Sequence, residues 1–203
     1  MIIFFTGPSA SGKDCIYKLF SEKYGFDRVI LHTTRPQRDG EVDGISYYFI
    51  TSEEMDELEK NQQLIERRDY QTVFGVWSYA TSSSVIDLSR NQVVVGSLEM
   101  LDSFILYYGK ENVIPFFIYV DDMTRLERAV ARARKNMEEP NEVARRFLSD
   151  SRDFSEKKLM QFDIIVIDNN GPIENTMEQI DNYMESLQIC SAKPFVKSKE
   201  PSL

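Results

Sequence analysis

Short unbroken apolar runs alternate along this chain with longer stretches whose apolar positions recur every three or four residues. The runs Ile2 to Phe5, Val29 to Leu31, Val93 to Val95, Val113 to Val120 and Asp163 to Ile167 mostly lack the polar alternation of a half-exposed sheet, so they predict strands buried on both faces. Helices are predicted at Asp14 to Lys23, Val85 to Arg90, Leu101 to Tyr108, Thr124 to Arg134, Glu142 to Met160 and Ile173 to Leu187, with Gly25 and Gly109 closing the first and third. Strands that take turns with helices imply an α/β fold, a parallel sheet flanked by helices, in which ligands bind beyond the carboxyl ends of the strands.

Two segments break the alternation and read as insertions. One runs from about His32 to Tyr79 and holds the strand-like run Ile45 to Ile50, then a helix opened by Thr51-Ser52-Glu53-Glu54 with capping-box spacing. The other is the polar patch Lys135 to Asn141, which contains Pro140, lies between two arginine-rich helices and reads as a flap. The division that follows is a core of residues 1–31, 80–123 and 146–187, an insertion at 32–79, a lid at 124–145, and a tail at 188–203 expected to be disordered.

Composition narrows the partners more than the fold. With 42% hydrophobic and 28% charged residues in 203, the chain has the balance of a globular domain. Its formal net charge of −9 argues against nucleic acid or an anionic membrane as partner, since both select basic surfaces. Two cysteines, Cys15 and Cys190, provide neither a disulfide framework nor metal-ligand spacing, which suits a reducing, cytoplasmic setting. Oligomeric state is not legible at this level.

The sharpest local pattern is Gly7-Pro8-Ser9-Ala10-Ser11-Gly12-Lys13-Asp14, placed between the first predicted strand and the first predicted helix. G-x-x-x-x-G-K in that position is a phosphate-binding loop: glycines let the backbone wrap with N–H groups inward, the helix N-terminus adds positive potential, and Lys13 supplies a mobile charge. Where the pattern has a hydroxyl for magnesium this chain has Asp14, a hard oxygen ligand that also brings negative charge beside the phosphates. ATP on residues 7–14, with magnesium at Asp14, is the expectation.

The stretch His32-Thr33-Thr34-Arg35-Pro36-Gln37-Arg38-Asp39-Gly40-Glu41, continuing through Gly44 to Tyr47-Tyr48-Phe49, closely resembles the acceptor-side signature of the guanylate kinase family. The resemblance extends from the phosphate loop to the last helix. It implies a P-loop NTPase fold with nucleoside-monophosphate-binding and lid insertions, and transfer of the terminal phosphate of ATP to GMP. It further implies that Arg35, Arg38, Tyr47 and Tyr79 hold the acceptor phosphate, that Glu66 and Thr81 read the guanine base, and that Glu99 stands on the acceptor side. Arg128, Arg132 and Arg146 resemble the lid arginines that join Lys13 in catalysis. Chemistry agrees with these roles: guanidinium groups and phenols suit a phosphate dianion, and a carboxylate accepts from adjacent N–H donors that guanine has and adenine lacks.

Departures accompany the matches. Leu31 stands where the family has a serine on the guanine carbonyl side, Ser97 and Glu99 where it has aspartates, and Asp168 where it has an asparagine near the donor nucleotide. The chain between Glu66 and Tyr79 is longer than usual and carries the only tryptophan, Trp77. Two further readings stay open: a kinase of this fold acting on another nucleoside monophosphate, and a weakly catalytic module that binds a protein or phosphopeptide through the same pocket. Lys13 and the lid arginines speak against the module, because binding alone has no use for a donor side.

Overall fold

The computed structural model describes residues 1–72 and 75–187. From β1 (Ile2–Thr6) the chain enters α1 (Lys13–Tyr24), the short strands β2 (Asp27–Arg28), β3 (His32–Thr33) and β4 (Tyr48–Phe49), and α2 (Ser52–Lys60). A hairpin of β5 (Leu64–Thr72) and β6 (Gly75–Ser82) returns it to β7 (Gln92–Gly96), α3 (Leu98–Tyr108) and β8 (Val113–Tyr119). The rest is α4 (Asp122–Asn136), α5 (Pro140–Asp153), α6 (Glu156–Leu159), β9 (Ile165–Asp168) and α7 (Ile173–Ser186).

The main sheet has the order β2-β7-β1-β8-β9, with every pairing parallel. β1 lies at its centre because Ile2, Ile3, Phe4 and Phe5 leave no side for water, and all four are fully buried. Strand alternation sends Ile3 and Phe5 to one face, where they pack with Ile16 and Phe20 of α1 and Ile180 and Met184 of α7. Ile2 and Phe4 go to the other face, against Leu98, Leu101 and Phe104 of α3. Burial of each such side chain contributes roughly 1.5–3 kcal/mol, so these two layers hold the β1 carboxyl end, and the loop after it, in place.

The second sheet has the order β4-β3-β6-β5 and is antiparallel except for β3 with β4. A bulge at Ile65 lies between the pairs Leu64 with Ser82 and Glu66 with Thr81. Beyond it, one face of the hairpin carries the cross-strand pairs Glu66 with Thr81, Arg68 with Tyr79 and Tyr70 with Trp77. The opposite face carries Arg67, whose guanidinium reaches Asp56 and Glu59 on α2 and Asp69 on its own strand, tying helix to sheet.

Several predicted elements differ. Residues 85–90 form no helix: a 3-10 turn at Ser83–Val85 gives way to a loop in which the Gln92 side chain bonds Val85 O and Asp87 N, and Asp87 Oδ1 accepts from Ser89 N. Val29 to Leu31 is not a strand by itself, although Val29 N still reaches Val93 O at 2.9 Å beside β2. Of Ile45 to Ile50 only β4 is extended. The single helix expected from Glu142 to Met160 is two, because Phe154 leaves α5 to pack on Phe117 and Ser155 starts α6. The boundary drawn after Tyr79 falls inside β6, and the expected tail and Cys190 lie outside the described residues. No helix among the described residues is long and apolar enough to cross a membrane.

Candidate active site

The glycine-bounded loop of residues 7–12, expected to bind phosphate, spans the gap from the end of β1 to the start of α1. Gly12 stands at the α1 N-terminus with φ 86°, and a Cβ there would come within 2.5 Å of Asn169 Nδ2, so both conformation and space require glycine. Buried Asn169 donates to Ser11 O at 2.7 Å and accepts from Thr176 Oγ1 at 2.8 Å, which fixes the loop from below. Asp168, next to it, accepts from Asn170 N at 2.8 Å. Lys13 begins α1 and its Nζ donates to Pro8 O at 3.3 Å; burial beside the loop lowers its pKa. Asp14 is exposed on the first turn.

Above this loop lies a pocket of about 290 Å3 where Arg128, Arg132 and Arg146 meet Lys13 and Asp14. The arginines come from two helices, α4 and α5, joined by a turn in which Met137 adopts a left-handed conformation with φ 52°. Glu138 in that turn links both helices, with Oε1 3.5 Å from Arg132 Nε and Oε2 on Arg146 Nη2. The hydrogen bond from Arg146, aided by the charges of both arginines, lowers the Glu138 pKa. Neither Glu138 nor Asp150 was singled out by sequence. Asp150 Oδ2 accepts from Ser9 N at 2.8 Å across 141 residues of chain, and it lies 3.5 Å from Nη1 of the fully buried Arg125, which stacks on Phe147.

The residues expected to hold an acceptor phosphate are built on the second sheet. The Arg35 guanidinium, only 3% exposed, is gripped by both Glu41 oxygens at 2.8 and 2.9 Å, and its Nε donates to Tyr79 Oη at 3.2 Å. Hydrogen bonding to Arg35 holds the Glu41 carboxyl at about 2, and the same pair raises the arginine. The Tyr47 ring packs edge-on against Tyr79 with centroids 5.8 Å apart, and burial raises its phenol pKa. Arg38 is exposed, with its backbone N–H on Glu41 Oε2 at 2.8 Å. The chain's one histidine, His32, is buried against Tyr48 in β3 and belongs to the packing of this sheet.

Between the two ends runs a cleft of about 540 Å3 whose walls include Lys13, Tyr47, Tyr79, Leu31, Arg68 and Trp77. Glu66 is 5% exposed and lies behind this wall, with Oε1 accepting from Thr81 Oγ1 and Oε2 from Arg68 Nε, each at 2.8 Å. Arg68 was not singled out by sequence, although its two-residue spacing from Glu66 places both on one strand face. Glu99 is not brought into this cleft: it is exposed on the first turn of α3 and lines a neighbouring cavity with Asp102 and Lys158.

Among the described residues no cluster of three or more acidic, histidine or cysteine side chains could hold a metal. Magnesium carried by a nucleotide needs only one or two carboxylates besides phosphate oxygens, and exposed Asp14 beside the loop fits that donor set.

The guanylate kinase family model matches residues 1–187. A guanylate kinase from Wolbachia pipientis wMel is 28% identical over 203 residues, 97% of this chain and 96% of the relative. Guanylate kinase 2, chloroplastic/mitochondrial, from Oryza sativa subsp. japonica is 25% identical over 190 residues; the match takes in 92% of this chain but 64% of the rice protein's length. The crystal structure of guanylate kinase from Anaplasma phagocytophilum superposes with a TM-score of 0.62 at 22% identity, covering 95% of this chain and 87% of that one, which shows the shared fold.

Proposed function

This chain belongs to the guanylate kinase family, and from that premise we propose that it transfers the terminal phosphate of ATP to GMP, giving ADP and GDP, with magnesium on the donor phosphates. The observation that carries the reading is the cleft itself, in which Lys13 and the loop face Tyr47 and Tyr79 across one cavity. Two anion-binding ends that open on one cavity suit two nucleotides meeting phosphate to phosphate.

In this reading the loop N–H groups and Lys13 hold the donor phosphates. Arg35, already oriented by Glu41 and Tyr79, holds the acceptor phosphate with Tyr47, and Arg38 joins them from the exposed turn. A bond forms between an acceptor phosphate oxygen and the γ-phosphorus as the bond from that phosphorus to the ADP oxygen breaks. The acceptor phosphate has a second pKa near ~6 and is ionised at neutral pH, so the step has no need of a general base. Charge spread over the transferring group is met by cations, and Arg128, Arg132 and Arg146 converge on the loop to supply them. Magnesium at Asp14 would neutralise donor phosphate charge. The Glu66–Arg68 pair and Thr81 lie at the base end, where a carboxylate and a donor fork suit guanine, which carries both N–H donors and a carbonyl.

A coupled assay with ATP across the common nucleoside monophosphates tests the reading. GMP should be the preferred acceptor, magnesium should be required, and ATP alone should turn over slowly. Preference for another monophosphate would favour the sister kinase activity, and binding without turnover would favour the module.

A further inference from the structure

Glu66 and Arg68 stand two residues apart on the cleft face of β5, but the cleft meets only the second. Both Glu66 oxygens are engaged and its side chain is 5% exposed, whereas Arg68 is 21% exposed and lines the cavity with the apolar side chains of Leu31 and Val95. Nε of Arg68 is committed to Glu66. Nη2 reaches only the Met100 sulfur at 3.7 Å, a weak acceptor, and among the described residues Nη1 has no hydrogen-bond acceptor. At this depth the cleft therefore presents a fork of N–H donors, anchored from behind by a buried carboxylate.

Resting on the guanine reading above, we infer that Arg68 is the residue that recognises the base, donating to the 6-carbonyl of guanine and its neighbouring ring nitrogen, while Glu66 fixes the guanidinium. A guanidinium fork matches the O6 and N7 acceptors of guanine bidentately, whereas adenine offers an amino donor in place of O6, which sets donor against donor. The neighbouring Leu31 side chain can give that carbonyl no hydrogen bond, and Arg68 takes over its recognition.

Three acceptors address these contributions: GMP, inosine monophosphate, which keeps the carbonyl and lacks the 2-amino group, and 2-aminopurine ribonucleoside monophosphate, which keeps the amino group and lacks both the carbonyl and the N1–H, so that the Arg68 variants rather than the parent alone assign its loss to the carbonyl. With the parent protein, kcat/KM for the inosine nucleotide should stay within about tenfold of GMP, and that for the 2-aminopurine nucleotide should fall by roughly ten to a hundredfold, mainly through KM. Arg68→Met should bring GMP down to the level of the 2-aminopurine nucleotide, and Arg68→Lys should retain part of the difference. Each ratio is read within one preparation, so partial misfolding of a variant cancels. If the 2-aminopurine nucleotide serves the parent as well as GMP, or if both variants leave the ratio unchanged, Arg68 is not the reader. A variant that lowers all three acceptors by one factor would show Arg68 to be structural only. Should the parent reject GMP for another monophosphate, the guanine reading fails first and this inference with it.

Discussion

Single side chains divide the work between the two ends of the cleft. Lys13 belongs to the loop and Arg35 to the second sheet, with Tyr47 and Tyr79 between them on the cleft wall. Lys13→Ala should therefore lower phosphoryl transfer by roughly a hundredfold or more, as removal of one charge-stabilising donor typically does. GMP binding measured by calorimetry should be little changed; its loss together with activity would contradict the division. Glu41 provides a pH test. Its folded pKa is lowered from 4.5 to about 2 by hydrogen bonding to Arg35, so its stabilising contribution is fully present above 4.5 and lost as pH falls toward 2. Urea unfolding across that window should show the parent converging on Glu41→Gln as acid is added, and parallel profiles would exclude the linkage. The phosphate loop, Arg35, Tyr47 and Tyr79 were legible as motifs because their neighbours in sequence define them. Arg125 and Asp150 were not, since Asp150 meets Arg125 from another helix and Ser9 across more than a hundred residues that no local pattern spans; nor was Glu138, although its partners Arg132 and Arg146 lie close by in sequence.

Elements were legible wherever burial wrote a pattern into the chain. β1 is a run of four fully buried apolar residues, and no other element type accounts for it at that length. The β5–β6 hairpin was missed because its two faces carry charge: Glu66 and Arg68 point to the cleft side while Arg67 and Asp69 serve the α2 side. A strand whose both faces make ion pairs shows no apolar alternation to read. α2, in contrast, announced its start. Thr51 Oγ1 accepts from Glu54 N at 3.1 Å and Glu54 Oε2 accepts from Thr51 N at 2.7 Å, completing the expected capping box. Thr51→Ala should cost about 1 kcal/mol of stability, visible as a lowered urea midpoint with an unchanged slope. No shift in midpoint would mean that packing through Met55 and the Arg67 ion pairs fixes the helix without help from its cap.

At the scale of the whole molecule, two sheets share one chain, and the chain passes between them twice, through residues 29–31 and 83–91. The main sheet owns both hydrophobic layers around β1, while in the second β3 and β4 are two residues long and the β5–β6 hairpin is exposed toward its turn. Cooperativity should therefore be uneven. Backbone amides of β3, β5 and β6 are expected to exchange with deuterium as one group through sub-global opening, while those of β1, β7 and β8 wait for global unfolding. A single protection level across both sheets would refute this. If the expectation holds, the acceptor is also a folding ligand for its own half of the protein. At a concentration a hundredfold above its Kd it should add about 2.7 kcal/mol to the opening free energy of that half, so that the substrate completes the part of the fold that receives it.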